Sequence, residues 1–156
     1  MSSDNLTIHL ATDHAGLVHK EAVEEWLTGE GYTVVDHGAH QLNPLDDFTD
    51  AILPAAKAVS ADPKQSVGII FGGSGQGEAM IANRFAGVRA TVYYGGNEEI
   101  ITLSKKHNNA NILSIGARFV PVETAKQIIW DWLHTEFDGP EKYERRNNEI
   151  DSLTKK

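Results

Sequence analysis

Short apolar runs alternate with amphipathic stretches along the whole chain, and this alternation restricts the fold more than any other feature. Leu6–Ala11, Tyr32–Asp36, Ser66–Phe71, Val88–Tyr93 and Ile112–Ile115 read as short strands. Between them, Leu17–Thr28, Phe48–Ser60, Glu78–Arg84, a stretch ending at Lys106, and Glu123–His134 read as helices. In the first of these, Val18, Ala22, Val23, Trp26 and Leu27 fall near one face. Pro54 is the weak point of the second, because an interior proline removes a helical hydrogen bond. Strands that each feed a helix predict an α/β protein, a three-layer Rossmann-like fold around a five-stranded parallel sheet. No repeat or linker divides residues 1–156, so one domain is expected. The last helix, about residues 140–156, is highly charged and has only a thin apolar stripe of Tyr143, Ile150 and Leu153. It is expected to pack on a partner subunit; a frayed tail is the alternative.

The composition narrows the function. The 156 residues carry 14 Lys and Arg against 22 Asp and Glu, a net charge of −8. That balance disfavours general binding to nucleic acid or to an anionic membrane, both of which need a basic face. A small phosphorylated ligand needs only a few local cations. The absence of cysteine removes disulfides, thiolate metal sites and a cysteine nucleophile. The first residues lack the basic and apolar regions of a signal peptide, and no apolar run reaches the length of a membrane span. A cytoplasmic protein is expected.

The most informative stretch is Gly72-Gly73-Ser74-Gly75-Gln76-Gly77-Glu78, between an apolar strand and a helix. Glycines let successive backbone N–H groups converge without Cβ clashes, which suits an anion or a developing oxyanion. The dinucleotide fingerprint fails because Glu78 stands where its third glycine belongs, and the phosphate-loop Gly-Lys-Ser/Thr is absent. A tight strand-to-helix turn would also explain the spacing. Glu78 is likewise readable as a first-turn acid that complements the helix dipole. To work as a base it needs burial that raises its pKa.

Asp13-His14-Ala15-Gly16, Gly73-Ser74-Gly75-Gln76-Gly77, Ala82-Asn83-Arg84, Gly87-Val88-Arg89-Ala90, His107-Asn108-Asn109-Ala110-Asn111 and Gly116-Ala117-Arg118 follow one another in order. With them, nearly the whole chain resembles the type B ribose-5-phosphate isomerases, which share a fold with galactose-6-phosphate isomerase subunits. Many members place a cysteine base at the position of Gly72. A branch that lacks it uses a glutamate just after the loop, where Glu78 stands. The family's tyrosine before the second helix is Phe48 here. Its two C-terminal phosphate-binding arginines, with a histidine beside the first, correspond to Lys142, Tyr143 and Arg146. Lysine keeps the charge and loses the bidentate fork.

The resemblance implies an aldose–ketose isomerase of the pentose phosphate pathway that interconverts ribose 5-phosphate and ribulose 5-phosphate through an enediolate, without metal or cofactor. Glu78 would shuttle the proton. Ser74 and the backbone of Gly73, Gly75 and Gly77 would hold the enediolate oxygen. His107 would open the sugar ring with Asp13 nearby, and Asn108 would orient a hydroxyl. His14, Arg118, Lys142 and Arg146 would bind the phosphate. The resemblance also implies a homodimer, or a tetramer of such dimers, whose sites take the C-terminal cations from the neighbour.

Three other readings stay open. The chain could isomerise a hexose or tetrose phosphate, since the loop Gly38–Phe48 diverges most. It could be a sugar-phosphate-binding protein without turnover, given Gly72 and Phe48. It could be a metal hydrolase built on His37, His40 and Asp46 or Asp47.

Overall fold

The computed structural model describes residues 5–154. The chain start, residues 1–4, on which the signal-peptide reading rests, and the final two residues of the expected last helix lie outside that range. Five strands form one sheet: β1 Thr7–Thr12, β2 Thr33–Asp36, β3 Ser66–Gly72, β4 Ala90–Tyr93 and β5 Ile112–Gly116. Their order is β2-β1-β3-β5-β4, and every pairing is parallel. The helices are α1 Leu17–Gly29, α2 Phe48–Ala61, α3 Gln76–Ala82, α4 Glu99–Asn108, α5 Val122–Leu133 and α6 Glu141–Thr154. A 3-10 turn, His14–Gly16, joins β1 to α1.

Alternation along the strands builds two cores. Ile8, Leu10, Ile69, Phe71, Leu113 and Ile115 point to one face, where Val23 and Leu27 of α1 and Ile128, Ile129 and Trp132 of α5 cover them. Ala11, Ile70 and Ile112 point to the other, under Ile52, Ala55, Ala56 and Val59 of α2 and Ala82 of α3. These are the expected three layers. Pro54 sits inside α2 without ending it, because buried Ala51, Ile52, Ala55 and Ala56 hold the helix to the sheet on both sides of it.

Local side-chain bonds account for the boundaries that differ from expectation. α3 starts at Gln76, two residues early, because Gly75 takes a left-handed conformation (φ 77°) that releases the chain directly into a helix. β4 starts at Ala90 rather than Val88. The Arg89 backbone N–H donates instead to the Asn111 side chain, and the Arg89 Nε–H donates to the carbonyls of Asn108 and Asn109.

α6 also departs from its apolar stripe. Ile150 and Leu153 are exposed, and the one buried residue of the helix is Asn147. Asn147 donates to the carbonyl of His107 at 3.1 Å, and the Gly87 N–H donates to Asp151 at 3.0 Å. The helix is therefore seated on its own chain by polar contacts, which hydrophobic periodicity cannot reveal.

The topology fixes where a ligand can bind. The chain passes from β1 outward to β2, then back across to β3, so the helices that follow β1 and β3 lie on opposite faces. Open parallel sheets bind ligands in the crevice at such a switch point, outside the carboxyl ends of the strands.

Candidate active site

Asp13 and His14 follow β1 at this crevice. An Asp13 carboxylate oxygen accepts the Ala15 N–H at 2.9 Å and so caps the 3-10 turn. The His14 Nδ1 lies 2.6 Å from Oδ1 of Asp46, which also accepts the His14 backbone N–H at 3.3 Å. Asp46 precedes α2 and was legible only as one of two adjacent acids.

The glycine loop leaves β3 beside them. The carbonyls of Gly72, Gly73 and Gly75 turn toward β5 and its following loop, accepting from Ala117 N–H, Arg118 N–H and the Ser114 hydroxyl. In a trans peptide the N–H points opposite to the carbonyl. The N–H groups of Gly73 and Ser74 therefore face away from β5. A Cβ on Gly116 would stand 2.7 Å from the Ser74 carbonyl oxygen, so the close approach of the two loops requires glycine there. Ser74 is exposed, and its hydroxyl oxygen accepts the Gln76 N–H at 3.3 Å.

Three side chains close on this loop. The ring of Phe48 lies against Gly77, 3.0–3.3 Å from where a Cβ would be. The guanidinium of Arg118 lies over Gly73 at 3.1–3.3 Å by the same measure. The carboxylate of Glu78 fills the space that any side chain at position 72 would occupy. Glu78 is 4% exposed. Burial pushes its pKa above the ordinary glutamate range; its own backbone N–H opposes that shift, and the negative charge of Asp13 adds to it. The first-turn position alone would have kept this carboxylate acidic, so burial outweighs the helix dipole here.

The remaining expected residues lie elsewhere in the same chain. α4 returns the chain from the carboxyl end of β4 to the amino end of β5. His107 and Asn108, at its last turn, are thus separated from the glycine loop by the length of β5, about 16 Å for five residues. The His107 ring lies tilted against Tyr143 of α6 with centroids 4.7 Å apart, and the Asn108 amide reaches Asn147 at 3.5 Å. Lys142 and Arg146 are exposed on α6 beside them. The expectation that His107 works with Asp13 nearby does not hold within one chain. The structure instead makes two groups: Asp13, His14, Gly73 to Glu78 and Arg118 in one, and His107, Asn108, Lys142 and Arg146 in the other.

The grouping proposed for a metal hydrolase does not form. His37 is 2.9 Å from His9, and His40 lies beside Asp36. Among the described residues, the ligand atoms close enough to share an ion belong to Asp13, His14 and Asp46. There His14 and Asp46 already satisfy one another.

No helix among the described residues is long and apolar enough to cross a membrane. The sequence pattern of the family described as Ribose/Galactose Isomerase matches residues 8–150. A Mycoplasma pneumoniae protein named probable ribose-5-phosphate isomerase B is 34% identical over 135 residues, 86% of this chain and 87% of that one. The crystal structure of ribose-5-phosphate isomerase B from Mycoplasma genitalium with bound ribulose-5-phosphate superposes with a TM-score of 0.91. It is 32% identical and covers 97% of both chains. A Pectobacterium atrosepticum D-erythrulose-4-phosphate isomerase is 31% identical over 134 residues, 86% of each chain. With its fold and nearly its full length matched, this chain belongs to the ribose/galactose isomerase family.

Proposed function

We propose that the protein interconverts ribose 5-phosphate and ribulose 5-phosphate, with Glu78 as the proton shuttle. The observation that carries this reading is the Glu78 carboxylate, buried at the end of β3 over Gly72 and adjacent to the loop amides. In the open-chain aldose, Glu78 removes the C2 proton, and the electron pair forms a C1–C2 enediolate. Negative charge develops on O1, which the N–H groups of Gly73 and Ser74, facing away from β5, would hold. The O2 proton passes to O1 and the protonated Glu78 returns its proton to C1, leaving a carbonyl at C2 and a hydroxyl on C1. A carboxylate with a raised pKa is a stronger base toward the C2 proton. The buried Glu78 and the glycine at position 72 support a place in the branch of the family with a glutamate base.

The second group of residues supports a homodimer with shared sites. His107 of the partner subunit would open the sugar ring, and Asn108 of the partner subunit would orient a hydroxyl. The cations of α6, Lys142 and Arg146, would approach the phosphate from the neighbour, opposite His14 and Arg118. Exposed Ile150 and Leu153 give α6 apolar surface to bury in such a contact.

A second reading is favoured by one relative, the D-erythrulose-4-phosphate isomerase, which is nearly as similar as those named for ribose 5-phosphate. A substrate panel separates the two. Under the main reading, kcat/KM is highest for ribose 5-phosphate among four-, five- and six-carbon aldose phosphates, and solvent deuterium enters C2 during turnover. No exchange with any of them would leave a sugar-phosphate-binding protein.

A further inference from the structure

At the amino end of the sheet, away from the glycine loop, lies a cavity of about 580 Å3. Leu6 and Tyr32, just before β1 and β2, and Val67 of β3 form one wall; Leu133 and Phe137 form another. None of the residues given a catalytic or binding role above lines it. Asn109, His134, Thr135 and the acid Glu136 complete the lining, and among the described residues its one lysine or arginine is Lys105 of α4, which is 8% exposed.

A buried ammonium is normally met by a carboxylate or by carbonyl oxygens, because desolvating an unpaired charge costs several kcal/mol. Lys105 has neither: among the described residues its Nζ makes no hydrogen bond or ion pair. It rests 4.1 Å from the centroid of the Trp132 ring, and the nearest influence on its charge is the like charge of Arg89. Burial first, and then Arg89, lower its pKa to about 8, so it remains mostly protonated at pH 7. A cation that borders an open cavity, held there without a protein acceptor, is a place for an anion from outside. Glu136, the acid of the lining, is not without a partner of its own, and the apolar and aromatic part of the wall describes the rest of that ligand.

We propose that this cavity is a second small-molecule site, which takes an organic monoanion whose carboxylate or sulfonate meets Lys105 and whose aromatic or branched apolar body lies against Tyr32, Leu133 and Phe137. The volume suits a molecule of up to three rings. The inference is independent of the isomerase reading, since it uses none of the same residues.

The test uses two probes with the same anilinonaphthalene body: anionic 8-anilinonaphthalene-1-sulfonate and neutral N-phenyl-1-naphthylamine. Titration of the intact protein, followed by fluorescence and calorimetry, should show one saturable sulfonate site per chain. Saturating ribose 5-phosphate should leave the probe bound. Lys105→Met should weaken the sulfonate about tenfold or more, and the neutral probe by less than about twofold. Lys105→Arg should retain most of the sulfonate affinity. Leu133→Trp, which fills the cavity and leaves the charge, should weaken both probes and keeps the test available if Lys105→Met does not fold. Absence of saturable binding, unchanged sulfonate affinity in Lys105→Met or Leu133→Trp, or displacement by ribose 5-phosphate would each overturn the proposal.

Discussion

The carboxylate of Glu78 occupies the volume that a side chain on Gly72 would need. The two positions are therefore one structural unit: glycine at the end of β3 is the condition for a buried acid in the first turn of α3.

Gly72→Ala should act as a Glu78 variant. The new methyl displaces the carboxylate from its seat, and mispositioning a general base forfeits much of its roughly 10²–10⁴-fold contribution. Loss of about 10²-fold in kcat is expected, with an unchanged circular dichroism spectrum. Glu78→Gln should lose a similar or larger factor with little change in KM. Adding Gly72→Ala to Glu78→Gln should cost only a few-fold more, because residues that act as a unit are not additive. Full multiplicative loss in the double variant would mean that Gly72 matters for another reason.

The pH profile reports the same carboxylate. Burial, and then Asp13, raise the Glu78 pKa, so the acid limb of kcat/KM should lie above the ordinary glutamate range. Asp13→Asn removes a negative charge and should move that limb to lower pH. Because the native state holds this proton more tightly than the unfolded chain, the resulting stability is present at low pH. It is lost as pH rises through the raised pKa. Denaturant unfolding of the native protein and Glu78→Gln across that window checks the sign.

Much of this architecture was legible beforehand, and the misses share a cause. Period-2 and period-3.6 apolar patterns located the strands and five of the helices because burial of those faces is what the patterns encode. Side chains that bond to the backbone leave no such trace. Asn111 delays β4, Asn147 seats α6, and Asp46 holds His14, and each looks in sequence like an ordinary polar surface residue. The glycine loop was legible as an anion-binding candidate. That Glu78 would fill the place over Gly72 was not, since it depends on α3 starting two residues early.

Lys105 should be destabilising at neutral pH. Its folded pKa of about 8 lies below the ordinary lysine value of 10.5, so the charged form is disfavoured by folding. The cost is present in full below about pH 8 and is relieved as pH rises toward the ordinary lysine value, where the unfolded chain binds more protons. Lys105→Met should therefore stabilise the protein by about 2–3 kcal/mol at pH 7, with the gain shrinking toward pH 10.5. A variant less stable than the native protein at pH 7 would show that the ammonium is well compensated.

The cations of α6 should contribute mainly to binding. Under the proposed shared site, Lys142→Ala and Arg146→Ala would each remove one charged hydrogen bond to phosphate, worth roughly 1.5–3 kcal/mol. KM for ribose 5-phosphate should rise by about 10- to 100-fold, more than kcat falls. Unchanged KM in both variants would place the phosphate elsewhere.

The division of the site residues between the two ends of the sheet is tested most directly by complementation. Glu78→Gln and His107→Ala are each expected to be nearly inactive as homodimers. Co-expressed with different tags and purified through both, they form a heterodimer in which one site carries both substitutions and the other carries neither. If the site is shared between subunits, that heterodimer should show about half the turnover of the native dimer. A heterodimer as inactive as its two parents would contradict a site shared in this way.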